Sequence, residues 1–141
     1  MWTRSHAVTT KEVSKEQIWK LFSEVNTWHL WDKGIVYAKL DGKFEVGNTI
    51  TLKPNDGPVV KIKITEVVEN KKFSDYAIFP GAKMYDEHVF EETPDGLKIT
   101  ITISVKGVLS FIWVKLVAKN LVDNLPGDIL EQIKYASKLK I

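Results

Sequence analysis

The most extended ordered pattern lies in the last third of the chain. Leu109, Trp113, Leu116, Val117, Leu121, Leu125, Ile129, Ile133 and Ala136 recur every three or four residues, and Lys115, Lys119, Asp123, Glu131 and Lys134 fall between them. This is a helical period with one apolar side, and it predicts one long amphipathic helix over 108–139. Most steps are of four residues, and each turns the stripe by about 40° around a 3.6-residue helix. A straight helix would carry its apolar side away from a flat partner, so the partner wraps or the helix bends. Pro126 lacks an N–H and disfavours helical geometry at Leu125, which predicts a bend within a turn of it. A kinked continuous helix is favoured over two helices with Asn124 capping the second.

Upstream, residues 2–10 alternate weakly and predict a first strand. Ser14-Lys15-Glu16-Gln17 is a capping box, opening a short helix with Ile18, Leu21, Phe22 and Val25 on one face and closed by Asn26 and Thr27. Residues 28–32 add a further helical turn or two, ended by Gly34. From Ile35 the period becomes two, with Val36, Ala38 and Leu40 alternating with Tyr37 and Lys39 before an Asp41-Gly42 turn. Further strands follow over 44–52 (interrupted by Gly47), at Val60, Ile62 and Ile64, over 73–79 up to Pro80-Gly81, and over 84–92. Leu97, Ile99, Ile101, Ile103 and Val105 form the clearest half-buried strand. A seven-stranded sheet with one apolar face needs a cover, and only the C-terminal helix is long enough. The predicted fold is α+β: a curved seven-stranded antiparallel sheet wrapped around the long helix, with two short helices between strands 1 and 2, in one domain over 1–141.

Composition narrows the function. An apolar fraction of 44% with five Trp and six Phe supplies a core and a ring-lined interior. Twenty basic against eighteen acidic residues give +2, without the concentrated basic stripe that nucleic acid requires. There is no cysteine, so disulfides and thiolate chemistry are excluded. With no signal core and no apolar run long enough to span a membrane, a cytoplasmic protein, monomeric or weakly dimeric, is expected. His6, His29 and His88 lack metal-ligand spacing, and no phosphate-binding glycine loop or nucleophile elbow occurs, so neither metal nor cofactor is expected.

Candidate chemistry lies on the strands. His88 shares phase with Met84, Asp86 and Phe90, so it points inward if Phe90 does. An imidazole there can act as acid or base or hydrogen-bond a ligand; a core histidine satisfied by a neighbour is an equal alternative. Burial and a nearby carboxylate push its pKa in opposite directions, and a mostly neutral ring with one free nitrogen is expected. Asp75 shares phase with Phe73, Ala77 and Phe79, on a strand that the Pro80-Gly81 hairpin pairs with that of Asp86. A carboxylate on an apolar face is costly unless paired, so a bulge turning each aspartate to solvent is favoured over one that orients His88 or meets a ligand. Trp28, Trp31, Tyr37, Tyr76, Tyr85 and Trp113 are candidate wall and mouth rings. The expected ligand-binding set is Trp28, Trp31, Tyr37, Phe73, Asp75, Phe79, Asp86, Phe90, Ile101, Ile103 and Trp113, with His88 as the catalytic candidate.

The stretches SKEQIWKLFSEV, WHLWD, LDGKFEVGNTITLKP, FSDYAIFPGAKM with EHVFEE, and VKGVLS with NLPGDIL resemble, in order, the SRPBCC (START-like, helix-grip) superfamily, in its polyketide cyclase/dehydratase-like branch. The resemblance covers nearly the whole chain. It implies a cavity between sheet and long helix, with the two short helices gating one end. The superfamily includes lipid carriers, hormone receptors, ring cyclases, oxygenase domains and chaperone activators, and no catalytic residue carries over for this branch. The expected function is binding of a small hydrophobic molecule, aromatic, polyketide-like or lipid-like, in that cavity. A cyclase or dehydratase using His88, and an interaction module with a filled core, are the alternatives.

Overall fold

Alternation of β-branched and polar residues makes the strand Gly96–Lys106 the centre of the structure. Leu97, Ile99, Ile101, Ile103 and Val105 are each at most 5% exposed, while their neighbours face the opposite side. In this computed structural model, which describes residues 1–141, the strands are β1 (Trp2–Thr10), β2 (Ile35–Leu40), β3 (Thr49–Pro54), β4 (Val60–Val68), β5 (Lys72–Phe79), β6 (Ala82–Thr93) and β7 (Gly96–Lys106). They form one antiparallel sheet in the order β1-β7-β6-β5-β4-β3-β2. The meander from β2 to β7 follows from hairpin-length connections, and β1 closes the far edge against β7.

The expected helix after β1 is α1 (Lys15–Ser23), and the capping box is present. Ser14 Oγ accepts from the Gln17 N–H at 3.1 Å, and Gln17 Oε1 accepts from the Ser14 N–H at 3.0 Å. Its Ile18, Leu21 and Phe22 are buried. The helix ends at Ser23, earlier than Asn26-Thr27, and a 3-10 turn, Val25–Leu30, follows at once. Strand β3 starts at Thr49 rather than at residue 44. Phe44 leaves the ladder to pack against Trp19 and Phe73, at ring separations of 5.7 and 5.2 Å, so ring burial wins over strand pairing there. Gly47 permits the turn with φ 94° and donates its N–H to Ile64 O.

The chain is helical from 110 to 136 without a break, as α2 (Ser110–Trp113), a π-helical turn (Val114–Ala118) and α3 (Lys119–Ala136). Pro126 lies inside α3, so the two-helix alternative fails. The departure from α-geometry is the π-turn, well before the proline. An i→i+5 turn takes in one residue more than an α-turn and so shifts the face that follows. Val114, Ala118, Val122, Leu125, Ile129, Ile133 and Ala136 pack toward the core, whereas Leu116 and Leu121 are 64% and 37% exposed. Of Trp113, Leu116 and Leu121, three residues of the expected apolar stripe, only Trp113 is packed against the core. The helix meets chiefly β1, β6, β7 and α1. Gly107, at φ 125°, makes the corner between β7 and the helix, where any Cβ would collide with the Gly81 carbonyl.

Candidate functional site

Strand phase decides which side chains face the helix. On β5, Phe73 and Ala77 are buried, and Asp75 lies between them at 7% exposure. On β6, Ala82, His88 and Phe90 are buried, and Asp86 shares their phase. Register places Asp75 opposite Asp86, Asp86 opposite Ile103, and His88 between Phe73 and Ile101. Both aspartates therefore point inward, and the expected turn to solvent is corrected. The irregularity in this part of the sheet falls in β4, between Ile64 and Glu66, so it leaves the phase of β5 and β6 intact. Two carboxyl groups and an imidazole thus share an otherwise apolar face.

The imidazole is held by rings. It stacks on Phe73 at 4.2 Å and 9°, and lies 4.8 Å from Phe22. Its Nδ1 stands 3.5 Å from Asp86 Oδ1, beyond a well-formed hydrogen bond, and both atoms are buried without a hydrogen-bond partner. The Asp86 side chain keeps 29% of its surface exposed, but the oxygen facing His88 does not share in it. Burial, and then the charge of Asp86, hold the Asp75 carboxyl well above the usual carboxylate range. Burial raises Asp86 as well, against the pull of His88. Burial lowers the His88 pKa, opposed by Asp86 and Glu87, which leaves the ring neutral at pH 7 as expected. No lysine or arginine forms an ion pair with either aspartate.

The other expected residues divide into five groups. Phe73 and Phe90 are 0% and 4% exposed inside a cluster of rings with Trp19, Phe22 and Phe44, so they fill the core instead of walling a space. Ile101 and Ile103 form the floor beside His88 and Asp86. Phe79 and Trp113 stack at 4.7 Å at the hairpin end, where Trp113 Nε1 donates to Pro80 O at 2.7 Å. Trp28 and Trp31 lie 6.3 Å apart beside α1; Trp28 Nε1 donates to Phe22 O, while Trp31 Nε1 is buried without a partner. Tyr37 is the clear correction. It alternates with buried Ala38, and so lies on the outer face with Lys39 over its ring. Tyr76 and Tyr85 are on the outer face too, 5.6 Å apart under Lys83 and Lys106.

Two residues that the pattern did not single out matter here. Gln132 is buried on the packed side of α3 with Oε1 unpartnered; a polar residue three positions after Ile129, on the apolar stripe, was the available signal. Trp19 sits at the centre of the ring cluster, 5.7 to 6.3 Å from Phe44, Phe73 and Phe90. Burial, and then the charge of Asp32, raise the pKa of Asp128 on α3. Two open grooves of about 270 and 420 Å³ are lined mainly by polar and charged residues such as Lys15, Lys71 and Glu92, and neither touches Asp75, Asp86 or His88. No helix is long and apolar enough to cross a membrane.

The profile of the family described as polyketide cyclase/dehydrase and lipid transport matches residues 1–132. Similar folds occur in a protein from Mesorhizobium loti (TM-score 0.76, 14% identity, 99% of this chain and 100% of that one). Norcoclaurine synthase from Thalictrum flavum, in complex with dopamine and hydroxybenzaldehyde, is comparable (TM-score 0.74, 15% identity, 99% and 88%). So is the di-domain ARO/CYC StfQ from the steffimycin biosynthetic pathway (TM-score 0.73, 10% identity, 96% of this chain and 49% of that one). No curated protein sequence matches significantly. At these identities the structural likeness shows the fold alone. The chain belongs to the polyketide cyclase/dehydrase and lipid transport family.

Proposed function

We propose that this member of the polyketide cyclase/dehydrase and lipid transport family binds a small, mainly apolar molecule between the inner face of the sheet and the long helix, with Asp75, Asp86 and His88 at its polar end. One observation carries this reading. Asp86 Oδ1 and His88 Nδ1 are buried 3.5 Å apart without hydrogen-bond partners, on a face that is apolar elsewhere. Buried polar atoms are rarely left unpaired, because each costs about 1–3 kcal/mol. An interaction module with a filled core gives them no purpose, whereas a ligand group supplies their partner. Family membership supports the same assignment.

Native mass spectrometry of the purified protein should show a retained small molecule, and 2-naphthol should quench the tryptophan fluorescence saturably. The His88→Ala variant should stay folded by circular dichroism and weaken binding by about 1–3 kcal/mol, the value of one hydrogen bond to a buried group. The absence of both a retained molecule and saturable quenching would refute the proposal. An unfolded variant would make His88, stacked on Phe73, structural.

A second reading rests on a separate feature, a carboxyl group whose pKa burial holds well above the usual range, near an imidazole whose pKa burial lowers. An acid and a base of that kind are what a cyclase or dehydratase uses to enolise a ketone. Deuterium exchange at the α-carbon of 2-tetralone, faster with the protein than with His88→Ala, tests it. Exchange at the buffer rate leaves the protein a binder.

A further inference from the structure

We propose that the polar group recognised at Asp75, Asp86 and His88 is an organic ammonium ion carried on an apolar body. This inference rests on the binding role proposed above and names the class of ligand. Asp75 and Asp86 stand directly opposite each other on β5 and β6, so their side chains are cross-strand neighbours on the inner face. Each is an acceptor, and the neutral imidazole presents one acceptor nitrogen when its proton sits on Nε2. Among the charged side chains none pairs with either aspartate except His88 itself.

The count of donors and acceptors then selects the ligand. His88 is 7% exposed, and its unpartnered Nδ1 is aimed at the equally unpartnered Asp86 Oδ1. An alcohol or phenol brings one donor and satisfies one of these atoms. A carboxylate brings none and adds negative charge beside the two carboxyl groups. A primary ammonium brings three N–H donors around one atom, enough for Asp86, His88 and Asp75 together, and its charge offsets the carboxylate pair. These residues do not make a metal-ligating set. The flanking face is apolar, with Ile64 beyond Asp75 and Ile103 beyond Asp86, so the remainder of the ligand is hydrocarbon or aromatic. Charges on the neighbouring elements leave this selection standing. Arg4 continues the same row at the edge strand, past Ile103, and is exposed; its guanidinium lies over the Trp2 ring, 5.0 Å from the centroid. His6 lies beyond Ile101, Glu87 is on the opposite face of β6, and Asp128 with Asp32 adds negative charge at the helix.

The test compares three probes of one shape: 1-naphthylmethylamine, 1-naphthalenemethanol and 1-naphthoate, titrated calorimetrically at pH 7.5. The amine should bind at least about tenfold more tightly than the alcohol, the least expected when hydrogen bonds to charged groups replace neutral ones. In two buffers of different ionisation enthalpy it should release protons on binding, because the ammonium displaces the proton held between the carboxyls. Asp86→Asn should remove most of the preference for the amine, and Asp75→Asn should do the same where the first variant is poorly folded. Equal binding of amine and alcohol, or tighter binding of the naphthoate, overturns the ammonium assignment and leaves apolar binding standing. If none of the three binds, both proposals fall.

Discussion

The long helix has two halves that look alike in sequence and behave differently in the structure. In the second half, Leu125, Ile129, Ile133 and Ala136 are at most 6% exposed, closed against β1 and α1. In the first, Phe111, Leu116 and Leu121 are 69%, 64% and 37% exposed, and contact is made by Trp113 and by the smaller Val114, Ala118 and Val122. The tethers differ as well. Gln17 Nε2 donates to Ser137 O and Leu139 O, and Lys20 Nζ to Lys140 O, which fixes the helix end to α1. The beginning is held by Leu109 N donating to Gly81 O and by Trp113 on Pro80 and Phe79. Large apolar residues on an exposed helical face mark an interacting surface or a mouth rather than a core. The difference teaches that one half is built to stabilise, and that the other joins the core through few side chains while it presents large apolar ones to solvent.

The largest expected effect breaks this comparison most directly. Ile129→Ala should cost about 2–5 kcal/mol, as truncation of a fully buried aliphatic does, because Ile129 is 0% exposed in the main core. Urea unfolding at constant m-value measures it. A loss under 1 kcal/mol would mean that the second half of the helix is not the anchor.

Asp75→Asn sharpens the comparison from the sheet side. A carboxyl whose folded pKa is raised adds stability that is fully present below its unfolded value, and that is lost as pH rises through the folded value. The wild-type protein therefore carries a growing cost from the ordinary carboxylate range upward, and an amide removes it. The variant should be more stable than wild type by about 1–3 kcal/mol at pH 8 and close to equal at pH 3.5, measured by chemical denaturation at both. A destabilised variant at pH 8 would show that the carboxylate is satisfied within the fold.

Much of this architecture was legible in the chain. The alternation from Leu97 to Val105 gave a strand whose burial follows it residue by residue, and Ser14 with Gln17 marked the start of α1. What failed was the helix phase. Steps of four from Leu109 to Leu125 fit a drifting α-helix, and nothing local shows that a π-turn at 114–118 moves the packed side to Val114, Ala118 and Val122. For Asp75 the strand phase pointed inward and the cost of burial pointed outward; the phase held because the bulge fell in β4. Tyr37 was misplaced for a different reason, since its own alternation with Ala38 put it outside and the attraction of a ring for a pocket was allowed to outweigh that.

A smaller effect is expected at Gln17, which caps α1 and reaches the end of the long helix at once. Gln17→Ala removes the back-bond to Ser14 N and two bonds to carbonyls just past the long helix, all exposed or partly buried, and should cost about 1–2 kcal/mol. Amide hydrogen exchange separates its two roles. Faster exchange beyond residue 133 together with residues 17–20 supports the tether, while loosening confined to α1 reduces Gln17 to a cap.

The smallest expected change is also the one that decides whether the first half of the helix is free. Leu116 is 64% exposed on the π-turn, so Leu116→Ala should alter stability by less than about 0.5 kcal/mol, as substitutions away from packed features do. Its position over 110–121, between the hairpin contact of Trp113 and the buried Ala118, makes it a reporter for closure. In the free protein a fluorophore on Leu116→Cys should show a water-exposed emission, since the chain has no other cysteine to label. With 2-naphthol bound, a blue shift shows this half of the helix closing over the ligand. An unchanged spectrum places entry elsewhere, with Trp31 and its unpartnered Nε1 as the next position to probe. A loss of 2 kcal/mol or more in Leu116→Ala would instead make both halves equally structural, and the contrast drawn from their exposure would not survive it.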